Sequence, residues 1–231
     1  PYHYILPGFF KLIQHLYDEH RDFSVVIRTY GLDAPNVLAC TELTLNGEHP
    51  QFPQKLQVTL NSNVGRVFRT KGGMICFENY SPVAANGKIN RETYKDELEI
   101  YNMLGKLKGI SAYVDDFIFW QSNAYHHSAG KPFWIDPTDT SVHHIFFDDN
   151  IRTNEHDSIV DVRVIDRTSG KGQSLKLHDT KIFENMCLVQ ADLLESTSNV
   201  DYFISKLKEC ESNYSKYLAD YHSTKEPLIS N

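Results

Sequence analysis

Two carboxylates, Asp148 and Asp149, stand side by side at the end of HHIFFDDN, the segment from His143 to Asn150. His144–Phe147 reads as a short buried strand. It has no Gly, no Pro and no exposed-face alternation, which is the pattern of a strand covered on both sides in a parallel sheet. In open α/β sheets, ligands gather at the carboxyl ends of strands. Adjacent carboxylates there repel each other and call for a cation, and Mg²⁺ is the hard ion that takes oxygen ligands. A solvated turn after a strand is the other reading of the same residues. A second acid pair, Asp115-Asp116, falls in SAYVDDFIFWQ (Ser111–Gln121), which reads as one strand. An acid pair at the start or middle of such a run is a poorer metal site than Asp148-Asp149, although placement at a strand edge would change that.

Two further residues fit phosphate chemistry. Thr29 closes the strand candidate FSVVIR (Phe23–Arg28) and is followed by Tyr30 and Gly31. A hydroxyl and backbone N–H groups at a strand tip can hold a phosphate oxygen. Lys131 stands immediately before a further apolar run, Pro132–Ile135, and supplies a point charge. The histidine pairs His126-His127 and His143-His144 are adjacent, not four apart as in a helical zinc site; His126-His127 read as surface histidines or as lining a pocket near Lys131. No GxSxG elbow, P-loop or GxGxxG motif is present, which argues against a serine hydrolase of that type and against nucleotide binding by a Gly-rich loop.

The surrounding pattern gives the elements that must position these groups. Phe9, Leu12, Ile13, Leu16 and Tyr17 fall on one helical face before the Phe23–Arg28 strand. Asn36–Leu45 reads as a short helix. Between residues 47 and 90 the texture changes to an inserted antiparallel β and loop region: Leu56–Leu60 alternates, Arg66–Thr70 and Met74–Phe77 flank a Lys71-Gly72-Gly73 turn, and Tyr80–Asn90 reads as a loop. Arg91–Lys108 reads as one helix stopped by Gly109, and Ser158–Ile165 as a strand. Ile182, Met186, Val189 and Leu193 form a helical stripe. A second helix follows from Val200 to Tyr221, with the last ten residues loosely ordered. The whole of 1–231 reads as one α/β domain.

Composition sets the outer bounds. Of 231 residues, 41% are hydrophobic and 23% charged, with a formal charge of −7, ordinary for a globular chain. There is no block of Lys or Arg, which disfavours nucleic acid as the partner. No apolar run reaches membrane-spanning length, and no signal peptide is visible. The four cysteines are scattered, as expected for reduced thiols in a cytoplasmic protein. Sequons at Asn79 and Asn213 read as chance matches.

In chain order, a strand ending in Thr29, then Lys131, then a strand ending in Asp148-Asp149 resembles the haloacid dehalogenase-like (HAD) hydrolase superfamily. Most of its members are Mg²⁺-dependent phosphatases. The resemblance covers Phe9–Gly31 and Lys131–Leu194, and implies a doubly wound, mostly parallel sheet. It implies that Thr29 and Lys131 are catalytic and that Thr29, Tyr30, Gly31 and Lys131 bind a small phosphorylated substrate. It further implies that Asp148 and Asp149 hold Mg²⁺. A receiver domain uses similar residues, but with the acid pair first. The family's first motif, DxDxT or DxDxV, is absent before Thr29. That motif lies on the central strand, between the strands ending in Thr29 and Asp149. Without it, the sheet has a gap of about 9–10 Å between neighbours. The chain opens on Pro1 without Met, so the nucleophilic Asp is expected upstream of residue 1. The alternatives are that another segment fills the slot, that the resemblance is accidental, or that the protein is a non-catalytic binding or interaction protein of the same fold.

Overall fold

The computed structural model describes residues 5–81 and 89–224, with side chains through 221. Most of the expected Tyr80–Asn90 loop and the expected loose C-terminus lie outside the described residues. The chain forms α1 (Pro7–Asp18), β1 (Ser24–Thr29), α2 (Ala34–Leu45), β2 (Gly65–Arg69), β3 (Ile75–Tyr80), β4 (Arg91–Tyr94), α3 (Glu97–Leu104), β5 (Gly109–Val114) and α4 (Phe117–Ser122). Then follow β6 (Lys131–Ile135), β7 (Phe146–Asp148), β8 (Val160–Asp166), β9 (Lys171–Ser174), β10 (Leu188–Gln190), α5 (Leu193–Ser198) and α6 (Tyr202–Thr224).

This is a mixed α/β architecture. The central sheet has the order β1-β5-β2-β3-β4. Its first pairings, β1 with β5 and β5 with β2, are parallel; β3 and β4 continue it antiparallel. The hairpin expected between residues 47 and 90 is present as β2 and β3, and β2 joins the central sheet directly. A parallel pair β7-β10 and a three-stranded sheet β6-β8-β9 complete the β structure.

Side chains that alternate along β1 and β5 meet different neighbours, as the strand period requires. Val25, Ile27, Ile110 and Ala112 pack under α1 and α2 with Ile13 and Leu38. Val26 and Tyr113 face the other way, toward Ile100 of α3, Trp134 of β6 and Ile165 of β8. Helices thus lie on both faces, joined on the second by the three-stranded sheet. A third cluster holds Phe133, Phe146, Val162, Phe183, Leu188 and Tyr214, fixing β7 beneath β6. Each fully buried Leu, Ile or Phe contributes roughly 1.5–3 kcal/mol.

Several expectations are corrected. Arg91–Tyr94 is an edge strand paired with β3, not the start of a helix; α3 begins only after Asp96, whose carboxylate accepts from the Glu99 N–H at 2.9 Å. SAYVDDFIFWQ is not one strand. β5 ends at Val114, and Asp116 caps the separate helix α4. The stripe from Ile182 to Leu193 is not one helix: Ile182 lies in a short 3-10 segment, Asn185 takes a left-handed φ of 53°, Leu188–Gln190 pair with β7, and Leu193 opens α5. Leu56–Leu60 makes only an isolated bridge, Leu60 to Ile110. The four cysteines are buried free thiols. Among the described residues no helix is long and apolar enough to cross a membrane.

Candidate functional site

The parallel strands β1, β5 and β2 end on one edge, and the predicted residues divide there into those that meet and those that do not. Thr29 is the last residue of β1. Its hydroxyl donates to Asp33 Oδ1 at 3.0 Å and accepts from the Gly31 N–H at 2.8 Å. Thr29 is therefore folded into the tight turn with Gly31 before α2. Lys131 opens β6 and is buried. Its ammonium donates to Asp148 Oδ2 at 3.0 Å and to the Arg28 carbonyl at 3.4 Å. It also lies 5.1 Å from the centre of the Tyr30 ring. Lys131 thus touches the carboxyl ends of both β1 and β7.

Asp148 is the last residue of β7, its other oxygen accepting from the Asn150 N–H at 3.0 Å. Asp149 follows it and is exposed. Among the described residues, no set of three or more His, Cys, Asp or Glu side chains is arranged to hold a metal ion. Mg²⁺ takes only one or two carboxylates and keeps several waters, so an all-oxygen pair at Asp148 and Asp149 fits its chemistry, provided Asp148 shares its charge with Lys131.

The second acid pair sits on the same edge, directly after β5, and is fully occupied. Asp115 is buried and makes a two-pronged ion pair with Arg28, with one contact at 2.8 Å. Asp116 accepts from the Phe119 N–H at 3.0 Å and the Arg69 N–H at 3.1 Å. Neither carboxylate is left for a metal. Arg69 in turn reaches Asp161 at 3.2 Å, and Asp161 is fully buried between it and Arg163, at 2.9 Å. Arg69, Glu97 and Arg163 line a polar cleft of about 230 Å³ with Lys95 and Ser128.

Sequence reasoning missed Arg28, Arg69 and Asp161 as parts of this edge and set Asp115 inside a strand rather than just beyond its tip. Their signal was a lone charge stranded in an apolar run, which is tolerated in an interior only when paired. Tyr30 lies beside Lys131, and its hydroxyl is buried without a hydrogen-bond partner. Burial, then the nearby Asp115, push its phenol far above the usual tyrosine range, outweighing Arg28 and Arg69. It stays protonated at any physiological pH. The His143 and His144 rings lie against Tyr214 and Tyr101, and His127 is buried, its ring 4.5 Å from that of His126.

Backbone pairing gives the edge its most telling feature. In a parallel ladder, the N–H and C=O of one residue point to the same neighbour and alternate along the strand. The carbonyls of Phe23 and Thr29 accept from β5 and from Asp115 just beyond it, so Val25 and Ile27 also point to β5. Ser24, Val26 and Arg28 point away from it. On β7, the Phe146 N–H and the Asp148 carbonyl bond to Cys187 and Ala191 on the β10 side, so Phe147 points away. Among the described residues neither outer edge pairs with a strand. All six residues of β1 are half-buried, whereas five of the six in β5 are fully buried. Beneath the two strands the helices do touch. Phe147 packs on Phe203 of α6 at 5.8 Å, and a Cβ on Gly8 of α1 would lie 3.1 Å from the same Phe203 ring.

Compared with protein-family models, curated proteins and solved structures, the chain matches none.

Proposed function

We propose that the chain forms most of a Mg²⁺-dependent hydrolase of the HAD-like type, a phosphatase acting on a small phosphorylated molecule. Its doubly wound sheet is completed by one further strand that carries the nucleophilic Asp and lies upstream of residue 1. The observation that carries this reading is the pair of open edges on β1 and β7, with Lys131 touching both strand ends and α1 meeting α6 below. One inserted parallel strand would pair with the backbone groups of Ser24, Val26, Arg28 and Phe147 that point away from β5 and β10, taking over the Arg28 carbonyl that now accepts from Lys131 and meeting the general need of covered backbone for partners.

In this reading Lys131 neutralises charge on the phosphoryl group and on the incoming carboxylate. Thr29 releases Asp33 and donates its hydroxyl to a phosphoryl oxygen. Gly31 leaves backbone close to the substrate. Asp148 and Asp149 would hold Mg²⁺, which when bound stabilises negative charge on the phosphoryl oxygens. Catalysis of this kind rests on positioning and on charge stabilisation.

A phosphatase screen on the protein extended upstream of residue 1, run with Mg²⁺ and with EDTA, tests it. Activity is expected to need Mg²⁺ and to fall at least about a hundredfold in Asp148→Asn. Activity indifferent to both would overturn the metal assignment. One observation favours a second reading, a non-catalytic binding protein of the same fold: Lys131 already neutralises Asp148 internally. Retention of phosphate-ester binding without turnover in the extended protein would select that alternative.

A further inference from the structure

Beside Lys131, four rings gather at the carboxyl edge of the sheet. Tyr30 and Trp120 are stacked, 5.1 Å apart and 13° from parallel. Phe117 meets Tyr30 at 5.6 Å. Tyr125 stands edge-on to Trp120 at 5.1 Å. Ile118 and Leu32, exposed by 69% and 90%, add apolar surface on neighbouring segments.

Packing explains half of this grouping: Tyr30 and Trp120 lie against the core cluster of Phe133, Phe146 and Leu188, whereas Phe117 and Tyr125 do not. The helix α4 reads FIFWQS, apolar at its first four positions, yet none of its residues is fully buried. A helix that served only the core would bury such residues. Phe117 and Tyr125 remain more than a third exposed. The turn that presents Tyr125 is strained as well. Ala124 and Tyr125 both take left-handed φ values, 54° and 59°, each costing about 1–2 kcal/mol for a residue with a side chain. The conformation is held by the Tyr125 N–H donating to the Trp120 carbonyl at 2.9 Å and by Gln121 donating to the Tyr125 hydroxyl at 3.2 Å. Two donors inside the cluster, Tyr30 Oη and Trp120 Nε1, are buried without a hydrogen-bond partner. The exposed faces of Phe117 and Tyr125, backed by the stacked Tyr30 and Trp120 and flanked by a lysine 5.1 Å from the Tyr30 ring, suit a ligand with an anionic head and a planar apolar body.

Building on the phosphatase reading of the same edge, we infer that Tyr30, Phe117, Trp120 and Tyr125 form the subsite for a planar aromatic group, so that the substrate is an aromatic phosphate monoester. The phosphate lies toward Lys131 and Asp148, and the ring lies against the exposed faces of Phe117 and Tyr125. A sugar or polyol phosphate would leave this apolar surface uncovered.

The test uses the 231-residue chain, titrated with phenylphosphonate and with cyclohexylphosphonate, an anion of similar size without a planar ring. The chain has two tryptophans. Trp134 is fully buried and bonded to Glu97 at 2.7 Å, so changes in emission report Trp120. Phenylphosphonate is expected to change that emission saturably, to bind at least tenfold more tightly than cyclohexylphosphonate, and to lose roughly tenfold in affinity in Tyr125→Ala and in Phe117→Ala. A Trp120→Phe variant, read by calorimetry, keeps the platform and should keep the affinity. Equal affinity for the two phosphonates, no saturable change, or an unaltered affinity in both alanine variants overturns the inference. If Ile118→Glu dissolves a dimer while phenylphosphonate has no effect, the apolar surface is an interface between copies and the inference fails. The two readings separate in the upstream-extended protein. Mg²⁺-dependent hydrolysis without preference for aromatic esters sinks the subsite and keeps the phosphatase. Ring-selective binding without hydrolysis keeps the subsite and sinks the phosphatase.

Discussion

His143 and His144 open the segment that ends in the acid pair, and their surroundings make them anchors of the fold. The His143 ring stacks on Tyr214 at 4.1 Å, nearly parallel, and its Nε2–H donates to the Met186 carbonyl at 2.8 Å. His144 donates from Nδ1 to the Trp134 carbonyl at 3.2 Å and lies 4.9 Å from the Tyr101 ring. Burial lowers the pKa of both; the carbonyl contacts only partly oppose it. The folded state holds the neutral rings, so the unfolded state takes up protons first as pH falls through the ordinary histidine value of about 6.5. Stability is therefore expected to decline from pH 7.5 toward 5.5, by at most about 1.4 kcal/mol per pH unit for each proton taken up. Burial lowers His127 as well, so it adds to the same slope. Urea midpoints at the two pH values, for the native chain and for a His143→Gln, His144→Gln variant, check this. The variant should be weaker at pH 7.5 but lose less on acidification. An equal loss would assign the pH dependence to other groups.

The elements show where local pattern suffices and where it does not. The helix α1 and the strand β1 were legible because their apolar spacing matches the faces they pack, with Pro7 opening α1; α2 was read as a short helix two residues late, Pro35 lying in its first turn. β4 was not: Arg91, Glu92 and Thr93 are exposed, so only pairing with β3 makes them a strand. β10 was hidden in a spacing that fits a helix, and its pairing with β7 overrode that local preference. The Lys131–Asp148 contact was foreshadowed by residue order. The aromatic cluster was not, because FIFW continues the apolar run of β5 and hides the break at Asp116. That break is a cap, with the carboxylate accepting the Phe119 and Arg69 N–H groups. Asp116→Ala should cost about 1–2 kcal/mol in urea unfolding, and Asp116→Asn, which keeps one acceptor oxygen, about half as much. Equal losses would mean that the charge, not the cap, holds α4 to β2.

At the scale of the whole molecule, the sheet edges decide what the chain can be. If β1 and β7 were the finished borders of two independent sheets, both would be expected to carry devices that blunt an edge, such as charge, Pro or a bulge. β7, FFD, meets that expectation, being three residues long and ending in Asp, but β1 runs SVVI before its first charge, Arg28, and Lys131 bonds to the Arg28 carbonyl and the Asp148 carboxylate at the two ends. The open groups alternate with paired ones, which gives a signature readable residue by residue. In amide exchange on residues 1–231, Val25 and Ile27 should be slow, being bonded to β5, while Val26 and Arg28 exchange faster by about tenfold or more. Phe147 should join the fast class and Phe146 the slow one. When a strand occupies the slot, as proposed for the upstream-extended protein, Val26, Arg28 and Phe147 should all pass to the slow class without any change at Val25. Uniform protection along β1 in residues 1–231 would mean that the two edges close on each other or on another segment, leaving no room for a strand that carries a nucleophile.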